Sequence, residues 1–322
     1  MQISTGLVAQ YTRLVAFHPA IRLGRSALVA LLSCLLSLPA FAWGDKGHRI
    51  INKLAWQRIP AELPAFLRAA SVGAQVEYLG PEPDRWRSPM EAELAAAQGP
   101  EHYINLESAD RLGELPRQRW QFVSKVYAYR AAHPEQAAEM MPERIGLLPW
   151  EMTEVEERLQ AAFREWRQAK SGHRDTAAIE ATIVFYMGWL GHYVADGSQP
   201  LHTSVQFNGW LGPNPRGYTT ERGIHSLFET EFVDRNIGGD DVRRLVHSAM
   251  PLGDVFSGSV AYLRESNRSV ERVYQMEKAG ELGGEGSAES RRFVAERLAA
   301  AVTMLDSLWL TAWRNSADAV SR

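Results

Sequence analysis

Cysteine is almost missing from this chain of 322 residues, which has one, Cys34. That excludes an internal disulfide framework and a thiolate-built metal site. The HExxH pair and the common zinc-finger spacings are absent as well. No segment alternates apolar and polar residues convincingly over strand length, so a sheet-based fold is not expected, although short strand pairs in loops remain compatible. Charge of one sign is also lacking. The net charge of −3 makes the whole protein a poor electrostatic sponge for polyanions. If it handles phosphates, the positive charge must be local.

One apolar run is present, 27-ALVALLSCLLSLPAFA-42, preceded by Arg22 and Arg25 and too short to span a bilayer comfortably. With Ala40-Phe41-Ala42 it reads as a secretory signal, residues 1–42, cleaved after Ala42; a membrane anchor or buried helix is the competing reading. Cleavage would leave residues 43–322, a length of 280 suited to one well-buried domain in a secreted or periplasmic protein. That mature chain has no transmembrane segment and no cysteine. Its 32 basic against 38 acidic residues give −6, and its core or a metal must hold it together. No obligate protein partner is inferred.

The pattern along the mature chain is helical. Apolar residues recur at three-four spacing in 48-HRIINKLAWQRI-59, in 119-RWQFVSKVYAYRAA-132 and in 151–170, after Pro149 stops the preceding run. The stretch 178–197 is apolar on nearly all sides and is expected to be the central buried helix, ended by Gly197 and Pro200. A long amphipathic run covers 291–315. Linkers rich in Gly, Pro and Ser fall at 79–86, 207–220 and 279–290. The fold class is all-α, a single helical domain.

Within the central helix, His192 and Asp196 lie four residues apart, on one face and within reach of a single ion. Alone, the pair reads equally well as a core histidine and a helix-end acid, although an ionised buried Asp needs a partner. His202 follows, and His225 and Glu229 repeat the four-residue spacing. Two such pairs with a third His between them point to a metal, and imidazole with carboxylate suits zinc. His102 sits beside Tyr103. Asp84 sits between two arginines in 83-PDRWR-87, where a turn acid in a solvated charge cluster is the simpler reading. His18 lies in the signal, and His133, His173 and His247 have no partner at ligand spacing.

With these residues assembled, the chain resembles the zinc-dependent single-strand nucleases of fungi and plants, whose site is shared by the bacterial zinc phospholipases C. The resemblance rests on W-G-x-x-G-H at the new N-terminus, D-x-x-R, H-aromatic, H-x-x-x-D-x-x-x-x-x-H and H-x-x-x-[D/E], running from Trp43 to Glu229. It implies an all-α fold with a trinuclear zinc cleft. One zinc would be held by Asp84, His102, His192 and Asp196. The second would be held by the Trp43 amino nitrogen and carbonyl oxygen, His48 and a bridging Asp196. His202, His225 and Glu229 would hold the third. Arg87 matches a position that contacts substrate phosphate, and Tyr103 one that stacks on a base. Asp84, Arg87 and Asp196 are then the catalytic residues.

The function so implied is a phosphodiesterase that hydrolyses single-stranded DNA or RNA through metal-activated hydroxide, with release of a 3′-terminal phosphate from nucleotides as a second activity. A zinc-dependent phospholipase C acting on glycerophospholipids is the alternative. Glu229 stands where the phospholipases carry Glu and the nucleases usually Asp, and Thr230 where the nucleases often carry a base-reading Asn. The segment 206-QFNGWLGPN-214 blurs the expected asparagine-bearing glycine-rich loop. Trp210 and Tyr218 in that loop read as exposed aromatics and are candidate membrane contacts under the alternative, although such residues more often anchor the packing of a loop. The short Trp43-to-His48 spacing and the 23 residues from His202 to His225 match the nucleases. A non-catalytic zinc-scavenging protein is a third reading, opposed by the incomplete shell of the His202, His225 and Glu229 group.

Overall fold

The computed structural model describes residues 43–317. The expected signal segment, 1–42, lies outside the described residues. Among the described residues, eight long helices carry the architecture. They are α1 (Gly44–Gln57), α2 (Ala70–Leu79), α3 (Arg119–Ala132), α4 (Leu148–Ser171), α5 (Ala177–Ser198), α6 (Val255–Asn267), α7 (Val270–Lys278) and α8 (Ala288–Asn315). Shorter turns connect them. Among the described residues the only β pairing is one isolated bridge, Phe207 to Gly209.

α5 forms the hub because it has almost no polar face to give to water. From Leu190 to Ser198 every residue is buried, and the helix touches α1, α2, α4, α6 and α8. α1 shows the complementary pattern. His48, Ile51, Asn52, Leu54 and Ala55 turn inward, whereas Asp45, Lys53 and Gln57 are exposed. Two helix starts are capped by side chains: Asp254 accepts the Ser257 N–H at 2.7 Å and Ser287 the Ser290 N–H at 3.0 Å.

Sequence expectation and structure differ at several places. The expected linker at 79–86 contains a helical turn, Glu82–Arg85, which carries Asp84. Pro149 does not stop a run; it lies in the first turn of α4, where a proline lacks nothing that the helix needs. Gly197 lies inside α5, where a Cβ would come within 2.8 Å of the Tyr262 ring; the helix ends at Ser198, and Pro200, after Gln199, opens the next 3₁₀ turn. Tyr218 is buried and Trp210 half-buried, both packed against Tyr274 of α7, so neither is an exposed membrane contact. The exposed apolar residues of that loop are Phe207 and Leu211.

A strap before α6 runs along α8. The N–H groups of His247, Met250 and Leu252 donate to the hydroxyls of Thr303, Ser307 and Thr311 at 3.1, 3.0 and 2.9 Å. Each hydroxyl in turn donates to the carbonyl one helical turn back, at 2.9, 2.7 and 2.6 Å. No helix among the described residues is long and apolar enough to cross a membrane.

Candidate metal centre

Eight side chains from separate parts of the chain converge on the C-terminal half of α5. Their ligand-type atoms form three buried groups: His48, His192 and Asp196; Asp84, His102 and His192; and His202, His225 and Glu229. Within each group the atoms lie within 4.8 Å of one another. His192 is within reach in two of them.

The local geometry follows from the elements. Facing residues of α1 and α5 stack the His48 and His192 rings, with centroids 4.1 Å apart and planes inclined by 14°. Asp196, one turn beyond His192, offers one oxygen to each side. Its Oδ1 lies 3.5 Å from His48 Nε2, and its Oδ2 lies 3.0 Å from His102 Nδ1 and 3.5 Å from His192 Nε2. The turn at Glu82–Arg85 brings the Asp84 carboxylate to 3.8 Å from His48 and 3.9 Å from both His102 and His192. His202 follows α5 in a 3₁₀ turn, and its backbone carbonyl accepts the Ile104 N–H at 2.9 Å, joining the His102 and His202 segments. A π-helical turn, Leu227–Glu231, carries Glu229 to 2.9 Å from His225 Nε2.

Backbone carbonyls fix the imidazoles. His192 Nδ1 lies 2.8 Å from Gly80 O, His202 Nδ1 2.6 Å from His102 O, and His225 Nδ1 3.1 Å from Phe207 O. A carbonyl can only accept, so each Nδ1 must carry the proton and each Nε2 faces inward with its lone pair. His202 Nε2 and His225 Nε2 then oppose each other at 3.2 Å, with Glu229 Oε2 at 3.5 and 2.9 Å. Three electron-rich atoms at such distances need a cation between them, whether a proton or a metal.

Electrostatics makes the same demand. Burial lifts the Asp84 carboxyl to about 8, although Arg87 opposes the shift. Burial and the charge of Asp84 push Asp196 well above the carboxylate range. Burial drives His102 and His192 well below the ordinary imidazole value. At His225, burial is outweighed by Glu229, so its pKa rises; at Glu229, burial is outweighed by His225 and His202, so its pKa falls to about 2. His202 falls despite Glu229, because burial and the neighbouring His225 prevail. Among the described residues, the buried oxygens Asp84 Oδ2, Asp196 Oδ1 and Glu229 Oε1, and His102 Nε2, have no hydrogen-bond partner. Nitrogen and oxygen donors of this kind, unsatisfied and dehydrated together, fit a divalent cation such as zinc.

The remaining expected residues sit around this cluster. Trp43 is fully buried in a left-handed conformation, φ 46°, at the head of α1. Its indole N–H donates to Ala195 O at 2.8 Å and Ser198 Oγ at 2.7 Å, on both sides of Asp196 in the chain. Its carbonyl oxygen accepts the Gly47 N–H at 3.0 Å. Arg87 Nη1 lies 3.4 Å from Asp84 Oδ1, and the side chain is a quarter exposed. Tyr103 is half-buried, and its hydroxyl donates to the Glu143 carbonyl. Glu101, preceding His102, is held by Arg119 at 2.6 Å, and Arg119 also holds Glu151 at 2.6 Å.

Sequence reasoning missed Gln199, whose Nε2 donates to Glu229 Oε2 at 3.0 Å while its Oε1 accepts the Leu201 N–H at 2.5 Å. Its place between Asp196 and His202 was the one available signal. It also missed Gly80, whose carbonyl orients His192, and Asn52 on α1. No curated protein matches the chain. A family model described as S1/P1 Nuclease matches residues 43–308.

Proposed function

Because the chain belongs to the S1/P1 nuclease family, we propose that it is a secreted, zinc-dependent phosphodiesterase that cleaves single-stranded DNA or RNA and releases 3′-terminal phosphate from nucleotides. The observation that carries this reading is the convergence of inward-facing imidazole lone pairs with buried carboxylates, each of which keeps one oxygen without a hydrogen-bond partner among the described residues. The domain so formed would be residues 43–322, freed by removal of 1–42.

In this reading three zinc ions occupy the centre. Asp84, His102, His192 and Asp196 hold one. The Trp43 amino nitrogen and carbonyl oxygen, with His48 and Asp196, hold another. His202, His225 and Glu229 hold the third. Zinc supplies Lewis acidity toward phosphoryl oxygens and a nucleophile from water near neutral pH. The chain's residues do the rest. Asp196 offers its two oxygens to opposite sides of the cluster, and the carbonyls of Gly80, His102 and Phe207 keep the imidazole lone pairs aimed inward. Arg87, part-exposed beside Asp84, donates to equatorial phosphoryl oxygens as charge builds. Tyr103 offers a ring face to a base, with its hydroxyl tethered to Glu143.

The test is a chain beginning at Trp43, assayed in parallel on single-stranded DNA, RNA and phosphatidylcholine vesicles, with metal content measured. Nucleic-acid cleavage that a chelator stops and zinc restores is expected. Zinc-loaded protein that leaves both DNA and RNA intact sinks the reading, and faster release of diacylglycerol would replace it with phospholipase C activity.

A further inference from the structure

Asn52 is fully buried on α1, one turn after His48, and belongs to none of the ligand groups. Its Nδ2 donates to Val76 O of α2 at 2.9 Å and to Gly188 O of α5 at 3.0 Å. Both partners are carbonyls, so the amide can only sit this way round. Val76 lies in the last turn of α2, where carbonyls lack helical donors, so Asn52 satisfies an orphan acceptor. Gly188 is the residue whose carbonyl accepts the His192 N–H in a regular helix.

A second link closes the figure. Gly80, one turn beyond Val76, accepts His192 Nδ1 at 2.8 Å, and a Cβ on Gly80 would lie 2.8 Å from His48 O. The α1–α5 approach at Asn52 is as tight: a Cβ on Gly191 would fall 1.9 Å from Asn52 Oδ1. α1, α2 and α5 are thus tied in a triangle of hydrogen bonds around the residues that carry His48 and His192.

We propose that Asn52 is a positioning residue that sets the register of α1 against α5, so that the His48 and His192 rings stack and both address Asp196. The amide touches no reacting atom. It acts through the backbone of α5 and the end of α2. The inference rests on the metal-centre reading only in that metal is the probe.

The experiment compares the parent chain with Asn52→Leu, which has the same branching at Cγ but no donors, and with Phe163→Leu, a control in the α4–α8 core against Trp313. Zinc affinity is measured by chelator competition, thermal midpoint in chelator, and kcat and KM separately. Asn52→Leu is expected to lose about tenfold or more in affinity for part of its bound zinc, the scale of losing an outer partner of metal ligands. Its kcat should fall with KM little changed. Phe163→Leu should lower the midpoint and leave zinc affinity unchanged. Parent-like zinc affinity in folded Asn52→Leu overturns the proposal, as does an equal loss in Phe163→Leu. If Asn52→Leu does not fold, Asn52→Ala, which removes both donors without added bulk, is read by the same two criteria. A parent that binds no zinc refutes the metal-centre reading, an outcome distinct from either.

Discussion

Asp306 on α8 offers a test of how this core treats charge. Its carboxyl is 2% exposed, its Oδ1 has no hydrogen-bond partner among the described residues, and Arg58 Nε is 4.0 Å from Oδ2. Burial lifts its pKa from the ordinary 3.8 to about 8, with Arg58 opposing. For an acid whose folded pKa is raised, the unfolded chain ionises first. Stability is therefore lost as pH climbs from about 4 to about 8 and levels off beyond. At about 1.4 kcal/mol per pH unit the full loss would be about 6 kcal/mol. Relaxation around a newly charged carboxylate reduces this to a few kcal/mol. Asp306→Asn keeps the shape and cannot ionise. It should match the parent within about 1 kcal/mol at pH 5 and exceed it by about 2 kcal/mol or more at pH 8.5. Urea unfolding in chelator from pH 5 to 9 measures the difference. Glu156, also lifted to about 8 by burial, cancels because both proteins carry it. A difference that stays constant across the range would refute the argument, and a parent more stable than the variant at pH 8.5 would show that the Arg58 pair dominates.

Other expectations concern the centre and its supports. His192→Ala, which removes a group shared by two clusters, should lower turnover at least a hundredfold, measured on single-stranded DNA with zinc content determined; full activity would remove the proposed site. A chain retaining several residues ahead of Trp43 should bind zinc more weakly, because an amide nitrogen has no lone pair to offer as an amine does; equal zinc affinity would leave Trp43 only its anchoring role. Arg87→Ala should cost about 10² to 10³ in kcat with a smaller change in KM, measured in steady-state assays. Arg119→Leu leaves Glu101 and Glu151 buried without their partner, and urea titration should show a loss of about 3 kcal/mol or more.

How far the sequence could be read depended on distance along the chain. α1, α3, α4, α5 and α8 were legible because each carries a three-four stripe or, for α5, a long apolar run. α2, in 70-ASVGAQVEYL-79, has too few strong apolar residues to mark a face, and α6 and α7 are interrupted by polar residues. The proximity of His192 to Asp196 was legible from spacing alone. His225 and Glu229 do meet, but through a π-helical turn that spacing did not disclose. Trp210 and Tyr218 were misread as exposed because Tyr274, which covers them, lies in α7 far downstream. Gln199 and Asn52 escaped for the same reason, since nothing near them in sequence names Glu229, Val76 or Gly188.

The scattering of the cluster along the chain also bears on the order of folding. Gly80 and His192 are 112 residues apart, His102 and His202 are 100 apart, and Trp43 is 152 residues from the Ala195 carbonyl that anchors it. Contacts of that span form only after long loops have closed, and they are the slow part of reaching a native topology. During synthesis α1 can pack against α2, which follows it directly, but its contacts with α5 wait until α5 has been made. The His202, His225 and Glu229 group, by contrast, lies within a segment completed soon after α5. A chain halted before α1 docks on α5 would lack only the group that includes His48, so the α1 side of the shared centre is the part whose completion waits for that docking.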